Sequence, residues 1–394
     1  MRARGAVAFA VALVALFAAG LWLGGHPGSL PEPLRDVFVS EPAGLTAEAA
    51  ETIEDNYFRS VGGTELGNAS LQGMVRELRK RHDDRFSEYF SPEALAAFNE
   101  QIEGRFSGIG LTVVEVKKGL RVASVFPRSP AQKAGIGAGE VIVSVEGESL
   151  AGETSTEATK KIKGPEGTEV TIGVRDRKGK VRLLTLTRAE VTLPNVSSRV
   201  EKVDGRGLGY VRLLSFSEGA HGQLAGALKK VRKEGAEGIV VDLRHNPGGL
   251  LEEAVSTASL FLPEGEVVVS TESRTQGKSV HETTGDRVTS LPLVVLIDGG
   301  TASAAEILAA ALADDGGAEV VGTRSYGKGV FQEEHSLSNG GALKLTVGEY
   351  FTPEGVNLAD SHGIHPDVKV GNDPKTAVDE AERRAFDTLA ARVG

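Results

Sequence analysis

The chain has 394 residues, a length for two or three domains, with 40% hydrophobic and 25% charged residues, the composition of a folded body and not of a disordered one. A net charge of −10, with no basic cluster of the kind that tracks phosphates, argues against nucleic acid as the main partner. The absence of cysteine excludes disulfides, thiolate metal sites and a cysteine nucleophile. The 50 glycines exceed the usual ~7% and, having no collagen period, point to many turns and close backbone approaches.

Residues 1–25 place Arg2 and Arg4 ahead of an uncharged run from Gly5 to Gly25. A membrane-spanning helix needs about 20 residues and a signal-peptide core ~7–15, so the run fits a signal anchor. Ala18-Ala19-Gly20 leaves a cleaved signal peptide as the alternative. In both cases the arginines stay inside and the body is exported. The expected location is the cell membrane, single-pass with an extracytoplasmic body, or secreted or periplasmic if the segment is cleaved. Residues 26–44 carry the Pro- and Gly-bearing linker "HPGSLPEPLRD". Over 45–103, "TAEAAETIEDNYF" and "LQGMVRELRKRH" set apolar residues at spacings of three and four, which predicts a helical segment. Ser91 and Pro92 mark a further helix start.

From Gly104 the period changes. "GIGLTVVEV", "LRVASVF", "EVIVSVEG" and "EVTIGVRDR" read as strands between turn signals, with short helices near "SPAQKAG" and "STEATKKIKG". Residues 104–188 form this compact domain. Over 189–394, the strands "GYVRLLSF", "GIVVDLR" and "LPLVVLID" alternate with the helices "AHGQLAGALKKVRKEG", "LLEEAVSTASLFL" and "SAAEILAAALAD". That alternation predicts an α/β core whose sheet is covered by helices on both faces. The residues from Pro374 read as an exposed terminal helix.

Ser303 follows the strand "LPLVVLID" at the start of a helix. There it meets free N–H groups and the positive end of the helix dipole. Such a place suits a nucleophile whose attack makes an oxyanion, and equally an N-cap. "DLRHNPGGLL" also ends a buried strand. Gly248 and Gly249 allow close backbone approach and can donate amides to an oxyanion, or they form an ordinary strand-to-helix turn braced by Asp242 and Arg244. Lys328 lies between Gly327 and Gly329. A lysine whose charged form is desolvated can act as a general base for a serine, and Gln332, four residues on, can orient its amine. A surface lysine in a glycine turn is the plainer alternative. His245 near Asp242 is the competing base, although triad members meet only in the fold. His362 and His365 lack the spacing and acidic partners of a metal site.

These segments together resemble the carboxyl-terminal processing, or tail-specific, serine protease family. "GRFSGIGLTV", "FPRSPAQKAGIGAGEVIVSVEG" and "KIKGPEGTEVTIGV" are similar to that family's PDZ domain. "GYVRLLSF", "DLRHNPGGLL", "DGGTASAAEI", "SYGKGVFQ", "LKLTVGEYFTPEG" and "HGIHPDV" follow its protease core in order. From about Leu45 onward the resemblance implies an α/β protease core with a mixed sheet covered by helices and an inserted PDZ domain of strands and two helices, which with the run at 5–25 gives an N-terminal helical segment after a membrane anchor. It implies a Ser-Lys dyad of Ser303 and Lys328, supported by Gln332, with an oxyanion hole from Ala304 and Gly248 or Gly249. Gly108, Ile109, Gly110 and Leu111 would bind the free C-terminal tail of a protein substrate, and no metal or cofactor is required. One departure is Lys163, where members often carry an arginine linked to switching the active site on. A non-catalytic surface PDZ scaffold that binds tails is the alternative function.

Overall fold

The computed structural model describes residues 41–372 and 376–393. The expected anchor and most of the expected linker lie outside the described residues. Among the described residues, no helix is long and apolar enough to cross a membrane. The described residues divide into two compact units, 41–91 with Ser336–Lys344, and 92–335 with those from Leu345 onward.

In the first unit, helices Glu41–Asn56 and Gly63–His82 precede a short strand, Glu88–Phe90. The first helix starts inside the stretch read as linker. Pro42 does not prevent this, because a first-turn proline lacks an N–H that would have no helical acceptor. The second helix ends in four basic residues, Arg79 to His82, which suit the negative end of its dipole. Tyr89 donates to Asn68 Oδ1 at 2.6 Å and accepts from Asn339 Nδ2 at 2.9 Å. This ties the helix to the segment that pairs with Glu88–Phe90 at Ala342–Lys344.

The second unit opens with helix Pro92–Glu103, then an antiparallel sheet in the order Leu111–Val116, Gly119–Val125, Val141–Val145, Glu169–Arg175, Val181–Thr187. Alternation along these strands buries Leu120, Ile142, Val170, Ile172 and Val174 completely. Helices Pro130–Lys133 and Ser155–Ile162 close it. Thr154 and Glu157 form a capping box on the latter, which satisfies two N–H groups at its start. Strand Val181–Thr187 escapes the sequence reading because its Val181 and Leu183 face solvent and only Leu186 is buried.

The larger sheet runs Val196–Val203, Arg206–Leu213, Gly238–Asp242, Leu293–Ile297, Glu319–Gly322, Val368–Lys369. Its first strand is antiparallel to the second and the rest are parallel, so the sheet is mixed. Successive side chains point to opposite faces. Val211, Leu213, Ile239, Val241, Val295 and Ile297 face one core cluster with helices Ala220–Lys233, Leu251–Ala258 and Ala304–Asp314. Leu208, Tyr210, Val240, Val294, Leu296 and Val321 face another.

That second face corrects the reading of an exposed terminal helix. Helix Glu380–Val393 covers it with Ala381, Ala385, Phe386 and Leu389, a spacing that puts all four on one side. Asp379 just before it accepts from Arg244 at 2.8 Å. The polar residues between the apolar ones, which suggested exposure, form the outer side. The parallel strands end at Asp242, Ile297 and Gly322, and the loops beyond such ends are where open α/β sheets bind ligands.

Leu389 is fully buried in this interface. Leu389→Ala is therefore expected to lower the unfolding free energy by about 2–5 kcal/mol, as core leucine truncations do. Urea unfolding checks this, because an exposed helix would show a change within about 0.5 kcal/mol.

Candidate active site

Three loops meet beyond the strand ends. The first, after Asp242, contains the two glycines. Asn246 is fully buried and organises it: its Nδ2 donates to Leu213 O at 3.0 Å, and its Oδ1 accepts from Gly248 N–H at 2.9 Å. Its carbonyl accepts from Ala302 N–H at 3.0 Å, which joins this loop to the second. A Cβ on Gly248, at φ 96°, would stand 2.8 Å from Ser303 Cβ and 2.9 Å from Ala304 N. Only glycine permits that approach.

The second loop carries Ser303 at φ 57°, ψ −123°, a conformation that L-residues avoid. It turns the chain sharply from strand into helix Ala304–Asp314, as a strained nucleophile elbow does. Asp298 Oδ1 accepts from the N–H groups of His245 and Gly300, both at 2.9 Å. Thr301 Oγ1 donates to Leu243 O at 2.9 Å. Among the described residues, the N–H groups of Ala304 and Gly249 have no acceptor, whereas that of Gly248 is taken by Asn246.

The third loop carries Lys328. A Cβ on Gly327 (φ 85°) would meet the backbone of His362 and Gly363 at 2.9 Å, and one on Gly329 would meet Asn357 Oδ1 at 2.0 Å. The glycines thus let the lysine segment pass against residues 357–363. Lys328 Nζ donates to Gln332 Oε1 at 2.7 Å, and Gln332 Nε2 donates to Thr346 Oγ1 at 3.3 Å.

Glu306 unites the second and third loops. Its carboxylate is wholly buried. Oε2 accepts from the N–H of Ser303 at 2.8 Å and of Lys328 at 3.0 Å. Oε1 accepts from Ser325 Oγ at 2.5 Å and from the N–H of Gly327 at 2.7 Å. Sequence reasoning passed over Glu306, although it stands three residues after the helix-capping serine, the usual place of a carboxylate that returns to the cap. Tyr350 was also missed. It is 2% exposed, and burial, then the Glu306 charge, push its phenol well above the ordinary range.

The histidine alternative is not assembled. His245 Nδ1 pairs with Asp298 Oδ2 at 2.9 Å while its side chain is 76% exposed. Asp242 instead accepts from Tyr210 at 2.5 Å and from Arg244. His365 Nε2 lies 3.1 Å from Ser361 O, and among the described residues no group of three His, Asp or Glu can hold a metal.

Gly108, Ile109, Gly110 and Leu111 line a separate cavity of about 410 Å3 with Phe106, Phe126, Ile142, Thr159 and Ile162. Helix Pro92–Glu103 contributes Ala97, Glu100 and Gln101 to the same cavity. Lys163 also lines it, paired with the Glu100 carboxylate and lying 5.2 Å from the Phe106 ring centre. Ser129 packs over Gly110, where a Cβ would stand 2.2 Å from its own.

Residues 98–175 match the PDZ domain model and residues 207–370 match the model of peptidase family S41. The chain is 34% identical to the carboxy-terminal processing protease CtpA of Bacillus subtilis, over 82% of this chain and 67% of that protein. It belongs to peptidase family S41, among the carboxy-terminal processing serine proteases. A probable CtpA-like serine protease of Staphylococcus saprophyticus is 32% identical over 81% of this chain and 64% of that one. A solved photosystem II D1 C-terminal processing protease is similar at 29% identity and a TM-score of 0.50, covering 90% of this chain and all of that chain. For this member of the family, the fold is a mixed α/β protease fold with a PDZ domain.

The Ser303 conformation has a measurable consequence. Such backbone strain costs of order 1–3 kcal/mol, and glycine relieves it while adding ~0.5–1 kcal/mol of unfolded-state entropy. Ser303→Gly is thus expected to be more stable than Ser303→Ala by about 1 kcal/mol. Chemical denaturation of the two variants compares them, and equal stability would remove the strain.

Proposed function

We propose that this S41 protease is an exported endopeptidase that takes protein C-terminal tails in its PDZ domain and cuts upstream with a Ser303–Lys328 dyad. The observation that carries the reading is the shared carboxylate: Glu306 accepts from the N–H of Ser303 and the N–H of Lys328, so nucleophile and base are held at one point. Neutral Lys328 takes the Ser303 Oγ proton while Oγ bonds to the scissile carbonyl carbon. The carbonyl oxygen becomes an oxyanion, received by the N–H groups of Ala304 and Gly249; Gly248 joins them on releasing Asn246. Collapse breaks the C–N bond, and the Lys328 ammonium gives its proton to the leaving amine. Water then repeats the steps on the acyl-enzyme. Gln332 holds the amine throughout.

The tail adds as a strand beside Leu111–Val116. Its terminal carboxylate meets the amides of the Gly108–Leu111 loop, with the Lys163 ammonium at the rim, and its last side chain enters the apolar cavity. The uncharged Gly5–Gly25 run supports export, with the segment retained as a single-pass membrane anchor or cleaved to release the body.

Lys328→Ala is expected to lower turnover of an unstructured peptide by 10²-fold to 10⁴-fold or more with an unchanged thermal midpoint, while His245→Ala leaves turnover unchanged. Because the working base is the neutral amine, activity is expected to climb with pH as Lys328 loses its proton. A maximum at acid pH, or near-normal turnover in the lysine variant, would overturn the dyad.

Tail selection is tested separately. Amidating the substrate's C-terminus, or giving it an acidic last residue, is expected to weaken binding by about 1–3 kcal/mol, the cost of a lost charge-assisted hydrogen bond or an unpaired buried group. Equal turnover of free apolar, amidated and acidic termini would remove the tail-binding role and leave the dyad standing.

A further inference from the structure

We propose that Glu100 is a specificity-determining residue of the tail cavity: its carboxylate competes with the substrate's terminal carboxylate for Lys163 and turns away tails that end in more than one negative charge. The inference rests on the tail-binding reading and names a residue that sets its selectivity. Helix Pro92–Glu103 turns Ala97, Glu100 and Gln101 to the cavity, a spacing that puts the three on one side. Among the described residues that line it, Glu100 and Lys163 are the two that carry charge, and the rest of the wall is mostly apolar. A hydrophobic residue at position 100 would suit such a wall better, because a carboxylate beside apolar surface needs a partner. Glu100 finds that partner in the Lys163 ammonium.

Lys163 stands where an incoming tail needs a cation. Ile109 O accepts from Ala131 N–H at 2.9 Å, and Gly110 O accepts from Phe126 N–H at 3.1 Å. Among the described residues the N–H groups of Ile109 and Gly110 have no acceptor. The carbonyls thus hold the loop in place, and the amides stay open to an anion. A Cβ on Gly108 would meet the Phe106 ring at 3.1 Å and Lys163 Cγ at 3.9 Å, so the lysine stem lies against the start of this same loop. Its ammonium is 5.2 Å from the Phe106 ring centre.

The Lys163–Glu100 pair is half-exposed, with side-chain exposures of 39% and 40%, and pairs of that kind are weak enough to open. A terminal carboxylate seated on the open amides draws Lys163 to itself and leaves Glu100 as an unpaired negative charge beside it. The penalty grows with each negative charge that the tail end brings. An amidated apolar end brings none, a free apolar end brings one, and a free acidic end brings two. Desolvation in the apolar cavity already disfavours an acidic side chain, and Glu100 adds a repulsion that a neutral isostere lacks.

The test measures binding to the full-length protein carrying Ser303→Ala, which stops cleavage and leaves the cavity unchanged. The probes are three fluorescein-labelled unstructured peptides of one sequence, ending in free leucine, amidated leucine and free glutamate. Glu100→Gln keeps the side-chain shape at a half-exposed site, so the fold is retained. It is expected to tighten the free-leucine peptide about two- to fivefold, the size of one exposed charge pair. The free-glutamate peptide gains by about the square of that factor, because charge–charge energies add, and the amidated peptide does not gain. Both gains shrink at high salt. An equal gain for all three peptides would mean a merely structural role and overturn the Glu100 assignment. No gain, or a loss, for the two free ends would overturn it as well. Equal affinity of the protein with Glu100 intact for free and amidated leucine would overturn the tail-binding reading itself.

Discussion

One buried carboxylate holds this site together. Glu306 has no exposed surface, and a charge there is tolerable only when its lone pairs are filled. Four donors fill them: the N–H groups of Ser303, Gly327 and Lys328, and the Ser325 hydroxyl. Three of the four are main-chain groups. The carboxylate therefore fixes where two loops run, not merely where side chains point. Ser325 extends the grip by accepting from Ile364 N–H at 2.7 Å, which draws residues 357–364 against the same point. An amide in place of the carboxylate would set its own N–H2 against two of these donors.

The glycines on either side of Lys328 follow from that constraint. A chain whose Gly327 and Lys328 N–H groups both reach Glu306 must pass close to the backbone of residues 357–363. Side chains at 327 or 329 would occupy space already held by His362, Gly363 and Asn357. The lysine segment between glycines is thus pressed between a carboxylate and a wall of backbone. Its amine, unlike its N–H, points away to Gln332. The main chain is pinned, and the amine donates to the Gln332 side chain.

Much of this was legible in the sequence, and the misses have physical causes. The central strands Gly238–Asp242 and Leu293–Ile297 carry near-continuous Val, Ile and Leu runs, because both faces of the sheet are covered, and such runs read clearly. Val181–Thr187 did not, since two of its apolar residues face solvent. The terminal helix was placed, but its side was misjudged: four apolar residues suffice to cover one sheet face, and its many charges hide them. Ser303 stood out as a serine at a helix start, Lys328 as a lysine between two glycines, and Gln332 by its place four residues beyond Lys328. Glu306 and Tyr350 did not, because a glutamate in a first helical turn and a tyrosine in a strand are ordinary local choices. Their importance comes from burial, and burial arises from residues distant in the chain.

The cavity lined by Gly108–Leu111 and the Gly248–Gly249 loop are joined by a short run of main chain within the second unit. Strand Arg105–Gly108 leads to the Gly108–Leu111 loop and pairs with Ala189–Thr192. At its other end, Gly104 O accepts from Leu193 N–H at 2.8 Å, and Ile102 O accepts from Glu218 N–H at 2.9 Å. A Cβ on Gly104, at φ 63°, would stand 2.5 Å from Ser217 Oγ, so this corner is closed tightly. Phe216, one residue before Ser217, donates to Gly248 O at 2.9 Å and accepts from Leu250 N–H at 2.8 Å. Gly249 lies so near Phe216 that a Cβ would stand 2.4 Å from its carbonyl oxygen. Every link in this run is a hydrogen-bonded strand or a close backbone contact, with no long side chain to absorb a shift. The Lys163–Glu100 pair sits at the head of the run and ties the PDZ domain to the helix that ends at Glu103.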